Sequence, residues 1–174
     1  NGHSYAEKTT NNTNFALLVS EKFTEPFKEP IQYGQHIARL ANMLAGGILV
    51  QRFGDLLDGR RSTPERIKSS IIKPTLTCAT PGDLSLVIPY RQMTSIIEML
   101  QALDKVCPGT ASRYTLLYGI EVKFYSARVK LTNNLETEGV KNLFAIGDGA
   151  GVTRGLIQAS ASGVHAARTI CERG

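Results

Sequence analysis

Apolar residues recur at the spacing of an α-helix in three segments of the chain, and these segments predict its main helices. The first covers residues 31–45 and is followed by two glycines, and the second covers residues 89–107 and is followed by a Pro-Gly pair. The third covers residues 155–171 and is rich in small side chains. In each segment the 3.6-residue repeat places the apolar positions on one face, which is typical of core packing.

Short apolar runs predict strands. They occupy residues 14–21, 48–50, 76–80 and 140–146, and a β-branched and aromatic stretch occupies residues 115–131. In that stretch polar residues alternate along one predicted face, which indicates a solvated side: Glu121, Lys123, Tyr125 and Arg128. The whole pattern predicts an α+β fold with mixed, largely antiparallel short strands and about three main helices.

The composition of the 174 residues is typical of a soluble globular protein, with 42% hydrophobic and 20% charged residues. No apolar run reaches the ~20 residues of a membrane helix, so we expect no membrane partner. The net charge of +5 permits nucleic-acid binding, but the basic residues are scattered and do not interleave with aromatics. The three cysteines and three histidines have no disulfide-framework or metal-ligand spacing, which favours a cytoplasmic protein without a metal site.

The most specific chemistry follows the predicted strand at residues 140–146. Gly147, Asp148, Gly149 and Gly151 come directly after it, and the third helical segment begins shortly afterwards. Glycines let the backbone turn sharply and approach a ligand, a carboxylate accepts hydrogen bonds from hydroxyl groups, and a helix N-terminus attracts phosphate. This combination suits the diphosphate and the sugar-like hydroxyls of a dinucleotide.

The spacing alone leaves a structural alternative open. The dinucleotide fingerprint Gly-x-Gly-x-x-Gly is incomplete, because Val152 occupies the position of the third glycine. In this alternative Asp148 serves only as a cap of the last helix.

Several motifs together resemble a family of flavoproteins. Residues 143–151 and 163–167 resemble the C-terminal flavin-binding motif of two-dinucleotide-binding-domain flavoproteins, in which a late Gly-Asp turn closes over the ribityl-diphosphate of FAD. Motifs in the middle of the chain resemble the bacterial group described as NAD(FAD)-utilizing or FAD-dependent dehydrogenases: residues 51–55, 59–64, 80–85 and 117–126. The resemblance extends over roughly residues 14–170.

This resemblance implies roles for the residues around the turn. Asp148 would hydrogen-bond a ribityl or diphosphate-side hydroxyl of FAD. The other cofactor-binding residues would be Gly147, Gly149, Gly151, Arg154, Gly155 and Leu156.

Four charged residues in the middle of the chain are candidates for the substrate side: Arg52, Asp55, Arg60 and Arg61. An arginine binds a carboxylate bidentately, and an enzyme that transfers hydride often holds an anionic substrate over the flavin. A surface loop tied by salt bridges explains these residues equally well. No pairing of a nucleophile with a base can be selected, so the catalytic residues stay unassigned, as expected where the flavin carries the chemistry.

The resemblance also implies a domain organisation. Residues 1–139 would form a substrate-side α+β domain, and residues 140–174 would form the strand, glycine turn and helix that complete an FAD-binding Rossmann-like domain. The N-terminal ADP-binding βαβ unit of such flavoproteins is not in this sequence, so we expect a C-terminal fragment that does not retain FAD by itself. Its partners would be the missing N-terminal FAD-binding domain and a small-molecule substrate, and its last helix would allow self-association.

The implied activity is that of an FAD-dependent dehydrogenase, which moves hydride between an unknown organic substrate and FAD, with NAD(P)H as a candidate co-substrate. The isolated fragment would be inactive. A non-catalytic function stays open beside it, in which an interaction or regulatory module, basic enough to bind RNA, retains a relic of the flavin turn.

Overall fold

The computed structural model describes residues 6–7, 10–124 and 127–173. Among these residues there are five α-helices: α1 (Pro30–Ala45), α2 (Phe53–Leu57), α3 (Pro64–Lys68), α4 (Tyr90–Asp104) and α5 (Leu156–Arg173). Three strands form one small sheet: β1 (Leu49–Arg52), β2 (Thr80–Pro81) and β3 (Leu116–Gly119). The predicted α+β class is therefore confirmed, and α1, α4 and α5 are the three main helices.

The chain divides into two compact units, Asn1–Lys123 and Phe124–Gly174. This boundary of packing lies upstream of the predicted boundary at residue 139. The predicted division into substrate-side and FAD-binding domains concerns the function of each part, and it stays a prediction.

The first unit is built around β1, the central strand of the sheet. β1 pairs in parallel with β2 and antiparallel with β3, so that Val50 lies opposite Pro81 on one side and Tyr118 on the other. The core of the unit joins residues of α1, β1, α2 and α4 with two residues from the segment before α4: Ala41, Leu49, Phe53, Leu56, Leu84, Val87, Met93 and Leu100. Burial of these side chains is the main stabilising term of the unit.

The ends of α1 and α4 follow from the residues named by the sequence pattern. Pro30 occupies the first turn of α1, where its missing N–H costs no helical bond. Gly46 closes α1 with φ +64°, and its N–H donates to the carbonyl oxygen of Asn42. Pro89 is the N-cap residue of α4 and lies directly before its first turn. Both helix predictions are confirmed to within a few residues.

The strand prediction at residues 48–50 is confirmed as part of β1, whereas the other strand predictions are wrong over most of their length. Residues 14–21 form no strand and are mostly exposed, residues 76–80 contribute only Thr80, and residues 115–131 contribute only β3. Tyr125 and Ser126 lie outside the described residues. Residues 140–146 form an isolated bridge between Phe144 and Glu136 instead of a strand. A strand needs a neighbouring strand to bond along its length, and the described part of the second unit holds only isolated bridges.

Candidate functional site

The glycine turn after residue 146 is a single turn of 3₁₀-helix, Asp148–Ala150, bounded by two glycines in unusual conformations. Gly147 has φ 72° and ψ −167°, a region that is essentially restricted to glycine. Gly151 has φ 70° and ψ 17°, the left-handed conformation. The two residues reverse the chain direction on either side of Asp148, and their backbone conformations explain why both are glycines.

The three glycines of the turn face different surroundings. A side-chain carbon added at Gly151 would come within 2.9 Å of the Cα atom of Arg128, so this position is closed by the chain itself. At Gly147 the same atom would lie 3.8 Å from the Cβ atom of Ala159, an ordinary contact. At Gly149 no described atom would lie within 4 Å. Gly149 is therefore the position of the turn that is open to a ligand.

Asp148 lies exposed at the top of the turn. Its Oδ1 atom accepts a hydrogen bond of 2.6 Å from the hydroxyl of Thr153. Helix α5 begins only at Leu156, so Asp148 does not occupy the N-cap position of that helix. A carboxylate accepts several hydrogen bonds, so exposed Asp148 can also accept one from a ligand hydroxyl.

The predicted residues Arg154, Gly155 and Leu156 lie together at the start of α5. The backbone N–H of Arg154 donates to Oε1 of Gln158 at 3.2 Å, and the first helical bond joins Ala159 N–H to the carbonyl oxygen of Gly155 at 2.8 Å. The Leu156 side chain is 89% exposed. The N–H groups of the first helical turn have no partner within the helix, and they carry the positive end of its dipole.

Ser162 holds the turn against α5, and sequence reasoning did not select it. Its hydroxyl accepts a 3.0 Å hydrogen bond from Gly147 N–H and donates to the carbonyl oxygen of Ala159 at 2.7 Å. The buried face of α5 consists of Ser162, Ala166 and Thr169, all small side chains. The spacing of small residues along the helix was the available signal, because only small side chains allow the turn to approach so closely.

Three of the four candidate substrate-side residues belong to an ion-pair network in the first unit: Arg52, Asp55 and Arg60. The carboxylate of Asp55 is fully buried and accepts hydrogen bonds from Arg60 Nε at 3.0 Å, Ser62 Oγ at 2.8 Å and Arg66 at 3.4 Å. Ser62 and Arg66 were missed, because their separation in sequence from Asp55 follows no regular period. The carboxylate of Asp55 therefore positions its neighbours and is not available to a substrate.

Arg52 and Arg61 occupy different places around this network. Arg52 lies with its Nε atom 4.0 Å from Asp55 Oδ2, and its guanidinium stacks on the ring of Tyr114 at 5.2 Å. The Arg61 side chain is exposed. The structure thus brings Arg52, Asp55 and Arg60 together and leaves Arg61 at the solvent side of the same loop.

Asp58 extends the network on its exposed side. Its carboxylate binds Arg113, and Oδ2 also lies 3.0 Å from Arg60. The hydrogen bond from Arg113 lowers the pKa of Asp58 below its ordinary value of 3.8, so the pair stays ionised at neutral pH. Elsewhere in the unit, burial raises the pKa of the Tyr118 phenol.

Glu136 ties the loop of the second unit to the end of α5. Oε1 accepts from Asn142 N–H and Oε2 accepts from Arg173, both at 2.7 Å. The bond from Arg173 lowers the pKa of Glu136 below its ordinary value of 4.5. A carboxyl whose pKa falls on folding stabilises the native state above its unfolded pKa, and that contribution is lost as the pH falls through the folded value.

We therefore expect Glu136→Gln to unfold at a lower temperature than wild type at pH 7, and we expect this difference to disappear as the pH falls through the lowered pKa of Glu136. Thermal unfolding followed by circular dichroism between pH 3 and pH 7 checks this. Glu172→Gln, an exposed change on the same helix, is the matched control. A Glu136→Gln defect that persists unchanged at low pH would show that packing, and not the ion pair, is responsible.

The described residues contain no group of three or more His, Cys, Asp or Glu residues that could hold a metal ion. None of their helices has the length and apolarity required to cross a membrane.

Comparison with known proteins places the glycine turn in a family. Residues 75–173, more than half of the chain, match the family model of glucose inhibited division protein A, which is an FAD-binding flavoprotein family. An uncharacterized protein of Clostridium beijerinckii is 32% identical to this chain over 184 aligned residues. That alignment covers 99% of this chain and 33% of the relative, so the chain spans about one third of the relative's length.

The family match includes the whole glycine turn and α5 and supports an FAD-binding region of the oxidoreductase type. The chain belongs to the glucose inhibited division protein A family.

Proposed function

We propose that this chain is the C-terminal part of an FAD-dependent dehydrogenase that transfers hydride between an organic substrate and FAD, with NAD(P)H as a candidate co-substrate. Bound flavin supplies the hydride chemistry, and the residues of the chain hold and orient it. The observation that carries the proposal is the combination at one turn of an exposed carboxylate, Asp148, with a glycine, Gly149, that is open to a ligand.

The residues of the turn fit the polar middle of FAD. Asp148 accepts a hydrogen bond from a ribityl or diphosphate-side hydroxyl, and the bond from Thr153 fixes its orientation. Gly149 admits the cofactor close to the backbone, whereas Gly147 and Gly151 shape the turn. Arg154, Gly155 and Leu156 bring the start of α5, with its partial positive charge, to the same place.

The proposed partner of this chain is the rest of the FAD-binding domain, including an ADP-binding βαβ unit. Four apolar side chains of α5 are more than half exposed: Leu156, Ile157, Val164 and Ile170. We propose that the partner domain covers them in the whole protein, and that in the isolated chain they favour self-association. For the same reason we propose that the isolated chain retains neither FAD nor activity.

On the substrate side, we propose that Arg52, Arg60 and Arg61 favour an anionic substrate. The buried carboxylate of Asp55 holds the first two in place, and the side chains of Arg60 and Arg61 are exposed. Arginine suits a carboxylate because its guanidinium donates two parallel hydrogen bonds.

The test compares flavin retention by the full-length protein with that of its turn variants. We expect purified wild type to show the visible absorbance of flavin. We expect Asp148→Ala to weaken FAD binding by about tenfold or more, since a hydrogen bond to a charged group contributes roughly 1.5–3 kcal/mol. Fluorescence titration of the flavin-free protein with FAD measures the change.

Thr153→Val is the matched control, because it removes the internal hydrogen bond and leaves the carboxylate in place. We expect it to weaken FAD binding less than Asp148→Ala does. Equal losses in the two variants would reduce Asp148 to a structural residue of the turn. Full-length protein that neither contains nor takes up FAD would overturn the proposal. A salt-dependent shift of mixed oligonucleotides by such protein would favour the RNA-binding module instead.

A further inference from the structure

A groove in the second unit begins directly beyond the glycine turn. It has a volume of about 510 Å³ and is lined mainly by residues 128–133, with Val152, the residue after Gly151, at its edge. A volume of this size lies within the usual range for small-ligand sites. The groove is distinct from the open position at Gly149. Val152, at the edge of the groove, follows Gly149 by three residues in the sequence.

Two cations line this groove without an ion-pair partner among the described residues. They are Arg128 and Lys130, and both are exposed. One carboxylate, that of Glu138, lines the groove as well. The local charge is therefore positive. By contrast, each of the arginines around Asp55 and Asp58 in the first unit lies within 4.0 Å of one of these carboxylates: Arg52, Arg60, Arg66 and Arg113.

The backbone segment that contains Arg128 and Lys130 is held against the glycine turn. The missing side chain at Gly151 allows the Cα atom of Arg128 to pack against it, and Val129 N–H donates to the carbonyl oxygen of Ala150 at 3.2 Å. The N–H of Glu138 donates to the carbonyl oxygen of Lys130 at 3.0 Å from the other side. Two bonded backbone segments thus present the two cations next to the turn, which reduces the entropy lost when they bind an anion.

We propose that Arg128 and Lys130 form a subsite for the phosphate groups of a nucleotide cofactor. The assignment to FAD rests on the proposed function, whereas the affinity for phosphate rests on the groove alone. Arginine supplies bidentate hydrogen bonds to phosphate oxygens and lysine supplies a point charge, which is the combination that a diphosphate requires.

Inorganic pyrophosphate is the probe of the subsite, titrated calorimetrically into the full-length protein. We expect Arg128→Gln/Lys130→Gln to bind it about tenfold more weakly than wild type does, with a smaller loss at high salt because the attraction is screened. Lys141→Gln/Arg168→Gln is the matched control: it removes two positive charges from the same unit but outside the groove. Wild type that binds no pyrophosphate, or a double variant that binds it equally well, overturns the subsite.

Flavin titrations identify the source of the phosphate. A double variant that loses affinity for FAD but not for riboflavin assigns the subsite to the FAD phosphates. Unchanged FAD binding with a higher NADH concentration needed for flavin reduction assigns it to the nicotinamide dinucleotide. Equal losses for FAD and riboflavin indicate a structural effect and overturn the proposal. Full-length protein that binds pyrophosphate at the groove but never flavin overturns the proposed function and leaves the subsite standing.

The single variant Arg128→Gln covers the case in which the double variant does not fold. Its side chain is exposed and its backbone contacts with Gly151 remain. We expect it to unfold like wild type and to bind pyrophosphate more weakly. A normally folded Arg128→Gln with wild-type affinity overturns the role of Arg128.

Discussion

Asp55→Ala is expected to lower the free energy of unfolding by about 3 kcal/mol, the lower end of the range for breaking a buried ion pair. The carboxylate is fully buried and accepts from Arg60, Arg66 and Ser62. Its loss leaves the Ser62 hydroxyl without its acceptor and a positive cluster without its counter-charge. The lower end applies because the Arg60 and Arg66 side chains are 50% and 36% exposed and recover hydration. Urea denaturation followed by circular dichroism measures the change.

Asp58→Ala is the control for this prediction. Asp58 pairs with Arg60 and Arg113 at the exposed side of the same network, where solvent screens the interaction. We expect its effect on unfolding to be clearly smaller. If the two variants were equally stable, burial would not distinguish the two carboxylates, and the network around Asp55 would be an ordinary surface loop.

Gly151→Ala is expected to lower the stability of the protein, whereas Gly149→Ala is expected to weaken cofactor binding with little change in stability. Gly151→Ala places a carbon 2.9 Å from the Cα atom of Arg128 in a residue with φ +70°, so we expect a loss of about 2 kcal/mol in unfolding free energy. Gly149→Ala adds its carbon to open space and should change stability by less than about 0.5 kcal/mol. Chemical denaturation of the two variants checks both values.

The FAD affinity of Gly149→Ala then shows whether the cofactor approaches the turn at this position, independently of any packing defect. We expect Gly149→Ala to fold normally and yet bind FAD about tenfold more weakly, because the added carbon occupies the space that the cofactor needs. Wild-type FAD affinity in Gly149→Ala would show that the ligand does not approach the turn at this position. The matched pair is informative because each variant adds one methyl group to the same turn.

The helices could be predicted because their signals are local. The apolar repeat together with Pro30 and Gly46 defined α1, and the same type of signal defined α4. A helix satisfies its backbone hydrogen bonds within one segment, so a short stretch of sequence contains most of what determines it. The strands could not be predicted in this way. Residues 140–146 are apolar enough for a strand, but their backbone groups find only an isolated bridge in the described part of the second unit.

The distinction between local signals and contacts remote in sequence also applies to the candidate site. Gly147, Asp148 and the start of α5 were predicted because glycine, carboxylate and helix follow one another along the chain. The different surroundings of Gly149 and Gly151 were not predictable, since the atoms that fill the space at Gly151 belong to Ala127 and Arg128. The structural role of Gly151 therefore depends on a contact across more than twenty residues.

By itself the sequence determined the α+β class, the three main helices and the position of the glycine turn, because each rests on neighbouring residues or on a helical repeat. Only the tertiary structure decided that Asp55 is a buried structural carboxylate, that Gly149 is the open position of the turn, and that Arg128 and Lys130 line a groove beside it. The physical reason is that burial, free space and charge pairing depend on distances between residues that are remote in sequence, and folding alone sets those distances.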